Sequence, residues 1–97
     1  MDNGYGMDSN LVQTFTIKNK LGLHARAAAL FVQLSNKFDS EILVEKSGQE
    51  VNGKSIMGIL ILAANQGSKI TVKADGQDAA VAIEELGKLI DAGFGED

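Results

Sequence analysis

The chain has 97 residues, 44% of them apolar and 23% charged, which suits one globular domain with a single core. With no cysteine and one histidine, disulfides, thiolate chemistry and a multi-histidine metal site are excluded within one chain. The net charge of −4 comes without any Lys/Arg cluster, so a nucleic-acid partner is not expected. The longest apolar run, Ile56 to Ala64, is about half of the roughly twenty residues a membrane-spanning helix needs. No basic and apolar leader opens the chain, and a cytoplasmic protein without membrane insertion is the expectation.

Residues 1–10 carry Gly, Asp and Asn without periodicity and read as a flexible extension; residues 11–97 read as the folded domain. Leu11 to Lys18 alternates and predicts a first strand. A loop follows over Asn19 to Leu23. Ala27, Leu30, Phe31, Leu34 and Phe38 then recur at helical spacing, predicting a helix from about Ala25 to Lys37. Glu41 to Lys46 is a second strand, Ser47-Gly48 a turn, and Gln49 to Val51 a short third strand. Ser55 to Leu62 is ambiguous: its β-branched residues suit a strand, while Gly58 and Ala63-Ala64 suit a short buried helix. Within it, Ile59, Leu60 and Leu62 are expected in the core. After a turn at Gln66-Gly67, Lys69 to Ala74 alternates as a fourth strand that ends at Asp75-Gly76. A last helix places Ile83, Leu86, Leu89 and Ile90 on one face, and Gly93 stops it. The order β-α-β-β-α-β-α predicts an α+β open-faced sandwich, a mostly antiparallel sheet with helices on one face.

One motif misleads. Gly48 through Gly53-Lys54-Ser55 fits the phosphate-loop pattern G-x-x-x-x-G-K-[ST]. P-loop enzymes use a buried parallel sheet with continuous apolar strands, whereas the strands here alternate. A β-turn, a short edge strand and a second turn at Asn52-Gly53 is the better reading.

His24 lies where a strand hands over to a helix, at or beside the helix N-cap. The first amides of a helix lack intrahelical partners and the dipole is positive there, so the position suits phosphate. Arg26 adds a planar, permanently charged fork for phosphate oxygens. A nucleophilic imidazole beside an anion site is what a phosphoryl carrier needs; the alternative is a histidine used only as a cap or turn residue.

Gly22-Leu23-His24-Ala25-Arg26, followed by Val51-Asn52-Gly53-Lys54-Ser55-Ile56-Met57-Gly58 at this separation, resembles the HPr family, the histidine phosphocarriers of the bacterial phosphotransferase system. The ending Gly93-Phe94-Gly95-Glu96-Asp97 and the run Leu60 to Ala64 look more like the nitrogen-related NPr branch. The resemblance implies four antiparallel strands with three helices on one face. It implies that Nδ1 of His24 accepts a phosphoryl group from phosphorylated enzyme I and passes it to an enzyme IIA-type acceptor, with Arg26 holding the group. It further implies Ser55 as a regulatory serine for an HPr kinase/phosphorylase, and Ile56, Met57 and Ala29 as partner-docking positions. No cofactor or metal is implied, and a monomer is expected. A pure regulatory module docking through Ser55-Ile56-Met57 is the alternative. The family usually has proline after the arginine; here Ala27 stands there, and alanine is expected to keep the helix. The run Ala27 to Ala29 is expected to leave a low-relief surface beside His24.

Overall fold

Alternation in the strands decides which face of the sheet is wet. In the computed structural model, which describes residues 10–96, β4 (Lys69–Asp75) buries Ile70, Val72 and Ala74 and turns Lys69, Thr71 and Lys73 outward. β2 (Glu41–Lys46) does the same with Ile42 and Val44, and β1 (Asn10–Thr16) with Phe15. β3 (Gln49–Asn52) completes one four-stranded antiparallel sheet in the order β1-β4-β2-β3. The register pairs Thr14 with Thr71, whose hydroxyls hydrogen-bond at 3.0 Å on the outer face, and Val44 with both Val51 and Val72.

Three helices cover the inner face: α1 (Ala25–Ser35), α2 (Ile56–Ile61) and α3 (Ala79–Asp91). α1 contributes Ala27, Ala28, Phe31 and Val32 to the core, and α3 contributes Ala79, Ala82, Ile83, Leu86 and Ile90. Leu30, Leu34, Phe38 and Leu89 pack half-buried at the margin. The layers follow the expected α+β open-faced sandwich, with differences at the ends of elements: β1 stops at Thr16 rather than Lys18, and β3 reaches Asn52 rather than Val51. Asn10, assigned to the extension, opens β1; the rest of that extension lies outside the described residues. α1 ends at Ser35, two residues before Lys37, where the Asn36 amide donates to Val32 O at 2.9 Å. Asp75 stays in β4, opposite Asn10 and Glu41.

The ambiguous Ser55–Leu62 segment is helical. Ser55 is the N-cap, and its Oγ accepts the Gly58 amide at 3.0 Å. Ile59 and Leu62 are buried as expected, because α2 lies against α1 and β3, whereas Leu60 is only half-buried at the edge of the core. The phosphate-loop lookalike is spent on folding. Lys54 Nζ donates to the Phe38 carbonyl at 2.7 Å, tying the loop between α1 and β2 to this turn. The Gly53 amide donates to Ile42 O at 2.7 Å. Asp78, at the start of α3, accepts from the Asp39 and Ser40 amides at 2.9 and 3.0 Å and from the Ser40 hydroxyl. That carboxylate pins the start of β2 to α3.

Candidate functional site at the start of helix α1

The β1–α1 loop is held in shape before the helix begins. Gly22 adopts φ +66°, where an L side chain is strained, and a Cβ there would run into the Ala64 carbonyl oxygen. The neighbouring Leu23 amide donates to that same oxygen at 2.9 Å, and the Leu23 side chain is buried. Asn19, 6% exposed, bridges the loop from inside: its Nδ2 donates to Gly22 O at 2.9 Å. The chain therefore reaches His24 on a fixed path.

His24 is the N-cap of α1, with extended backbone (φ −75°, ψ −179°) and its carbonyl accepting the Ala28 amide at 2.8 Å. Its side chain makes no cap hydrogen bond. Instead Nε2 pairs with Oε2 of Glu96, which follows the short 3₁₀ turn Gly93–Gly95. The second oxygen of that carboxylate, Oε1, accepts from Asn19 Nδ2 at 3.1 Å. The His24 bond first and the Asn19 bond second hold the Glu96 carboxyl below the usual carboxylate range, against partial burial; the positive charge of Arg26 adds to this. A carboxylate accepts, so Nε2 carries a proton, and in the neutral imidazole the lone pair then lies on Nδ1. Among the described residues Nδ1 has no hydrogen-bond partner, and the imidazole is 28% exposed.

Arg26 is exposed and lines one shallow depression with Lys20, Leu21, His24, Gly95 and Glu96. The sequence places His24 and Arg26 together correctly. It does not disclose Glu96 or Asn19, which lie 72 residues after and five before His24 in the chain and meet only in the fold. The Ala27–Ala29 surface is corrected: Ala27 and Ala28 are fully buried, and only Ala29, half-buried, reaches the surface. The helix runs unbroken through Ala27 without proline.

Ser55 caps the neighbouring helix, half-buried, with Ile56 (43% exposed) and Met57 (70% exposed) beside it. Ile61 on α2 and Leu21 beside His24 are also exposed apolar residues. Among the described residues no three acidic or histidine side chains gather as metal ligands, and no helix is long and apolar enough to cross a membrane.

The family profile described as "PTS HPr component phosphorylation site" matches residues 11–92. The chain belongs to the HPr phosphocarrier family. It is 48% identical to phosphocarrier protein HPr of Xylella fastidiosa over 90% of this chain and 98% of that protein. Phosphocarrier protein NPr of Shewanella violacea is 40% identical over 91% and 97%. The crystal structure of HPr-C-His from Thermoanaerobacter tengcongensis superposes with a TM-score of 0.87 at 52% identity, covering 90% of this chain and 98% of that one. The family is that of the phosphotransferase system, and its solved members share this open-faced fold.

Proposed function

We propose that this HPr-family chain carries a phosphoryl group on His24 Nδ1, taken from phosphorylated enzyme I and passed to an enzyme IIA-type acceptor. The observation that carries the proposal is the imidazole itself: Nε2 is engaged by Glu96, and Nδ1, at a helix N-terminus, has no hydrogen-bond partner among the described residues and in the neutral ring carries the lone pair. Nδ1 attacks the phosphorus of the donor phosphohistidine in line. The new N–P bond forms as the donor N–P bond breaks, and its electron pair returns to the donor imidazole. The Arg26 guanidinium and the first-turn amides of α1 receive the negative oxygens. The dipole contributes on the order of 0.3–1 kcal/mol, so positioning by the docked donor supplies much of the rate.

Ser55 is the proposed regulatory site, a substrate for an HPr kinase/phosphorylase. Its cap position beside exposed Ile56 and Met57 supports this, because a phosphate there would put about −2 charge at the rim of an apolar docking patch; Ala29, half-buried on α1, is a further proposed docking position. The same patch supports the alternative of a docking module that needs no phosphohistidine. The test is phosphotransfer from enzyme I and phosphoenolpyruvate to wild type and His24→Ala. Acid-labile, alkali-stable incorporation into wild type alone is expected. Equal incorporation into His24→Ala contradicts the assignment, and none into either favours the docking module.

A further inference from the structure

We propose that Glu96, held by Asn19, is a positioning residue for His24: its carboxylate fixes the imidazole plane through Nε2–H and steadies the positive charge that grows on the ring as Nδ1 attacks phosphorus. This rests on the phosphocarrier reading of His24.

Three features carry it. The first is the reach of the contact: Glu96 comes to His24 from the far end of the chain and uses both oxygens, one on Nε2 and one on Asn19 Nδ2. The second is the care with which the C-terminal turn is placed. Phe94 is 2% exposed although its backbone is left-handed (φ +57°), and it is flanked by Gly93 and Gly95, also at positive φ. The Glu96 amide donates to Gly93 O at 3.0 Å. A non-glycine residue in that conformation is strained, and burying its ring in the core is what keeps the turn in place. The third is Asn19. Its Nδ2 serves both Gly22 O and Glu96, while its Oδ1 is buried without a hydrogen-bond partner. An orphaned buried carbonyl costs stability that an apolar side chain would not, so the amide is kept for what Nδ2 does.

The chemistry needs such a group. When Nδ1 gives its lone pair to phosphorus, Nε2 keeps its proton and the ring becomes cationic. A carboxylate already hydrogen-bonded to Nε2–H meets that charge without rearrangement. The two ring nitrogens point apart, so the carboxylate stands away from the incoming phosphoryl oxygens, which fall to Arg26 and the helix amides.

The experiment uses the full chain with enzyme I and phosphoenolpyruvate, comparing wild type, His24→Ala, Glu96→Ala and Glu96→Gln. Glu96→Ala should lower kcat for phosphotransfer about tenfold, with KM for phosphorylated enzyme I unchanged and cooperative unfolding retained. Glu96→Gln, which keeps an acceptor and loses the charge, should fall between Glu96→Ala and wild type. Nitrogen-15 NMR of the imidazole should show one fixed Nε2–H tautomer in wild type and averaged signals in Glu96→Ala. Wild-type kcat in both Glu96 variants, a faster Glu96→Ala, or a loss confined to KM overturns the inference. If Glu96→Ala fails to fold, the kcat of Glu96→Gln decides alone. Phosphate taken up by His24→Ala would instead defeat the phosphocarrier reading of His24, whatever the Glu96 variants do.

Discussion

Ser55 has a structural duty that a substitution series separates from any regulatory one. Its Oγ accepts the Gly58 amide at 3.0 Å and caps a helix of only six residues, Ile56–Ile61. Removing a serine cap typically costs about 1 kcal/mol. In a domain of this size that lowers the melting temperature by about 4–8 °C. Ser55→Ala should show that loss. Aspartate is as good a cap as serine, so Ser55→Asp should stay within about 0.5 kcal/mol of wild type. It also places a negative charge beside Ile56 and Met57, so phosphorylation of His24 by enzyme I should slow, through a higher KM. The assays are thermal unfolding followed by circular dichroism and a phosphotransfer titration in enzyme I. Ser55→Ala melting with wild type would refute the cap argument. Ser55→Asp transferring at the wild-type rate across all enzyme I concentrations would refute control through this surface.

Arg26→Ala should change stability by less than about 0.5 kcal/mol, because the side chain is exposed, and should slow phosphotransfer clearly; a large drop in melting temperature with intact transfer would contradict its role. Gly22→Ala should destabilise by about 3 kcal/mol, since it combines a left-handed backbone with a collision at Ala64 O, and a melting curve like that of wild type would contradict the geometry. Acid should destabilise the fold through Asp78 and Glu96. Both are held below the usual carboxylate range, Asp78 by the Ser40 hydroxyl first and then the Asp39 amide. A depressed folded pKa contributes stability that is present above the unfolded value, about 4, and is lost as pH falls through the folded one. Denaturant unfolding from pH 6 downward should therefore fall less steeply below pH 4 in Asp78→Asn than in wild type, and identical slopes would contradict this.

Much of the fold was legible because the strands alternate and the long helices repeat. Glu41–Lys46 reads as a strand from Ile42 and Val44 alone, and Ile83, Leu86 and Ile90 define the buried face of α3. Ser55–Leu62 was not legible by periodicity, since a six-residue helix buried partly on two sides has no clean apolar stripe. The Ser55–Gly58 spacing of a cap was the available signal. His24 and Arg26 were legible because they share one helix start. Glu96 and Asn19 were not, because their bond joins positions 77 residues apart. Gly93 marked the end of the last helix but not where the Glu96 carboxylate lands. The Ala27–Ala29 surface was misread because the helical repeat turns Ala27 and Ala28 into the core.

The central claim is that one nitrogen of one histidine takes the phosphoryl group. Intact-mass analysis after incubation with enzyme I and phosphoenolpyruvate, with fragmentation to locate the added mass, tests it most directly. One phosphoryl group per chain, on His24, absent from His24→Ala and lost after brief acid treatment, is the predicted result. A phosphoryl group located on any other residue, or an unmodified wild-type chain under conditions where enzyme I itself is phosphorylated, would contradict it.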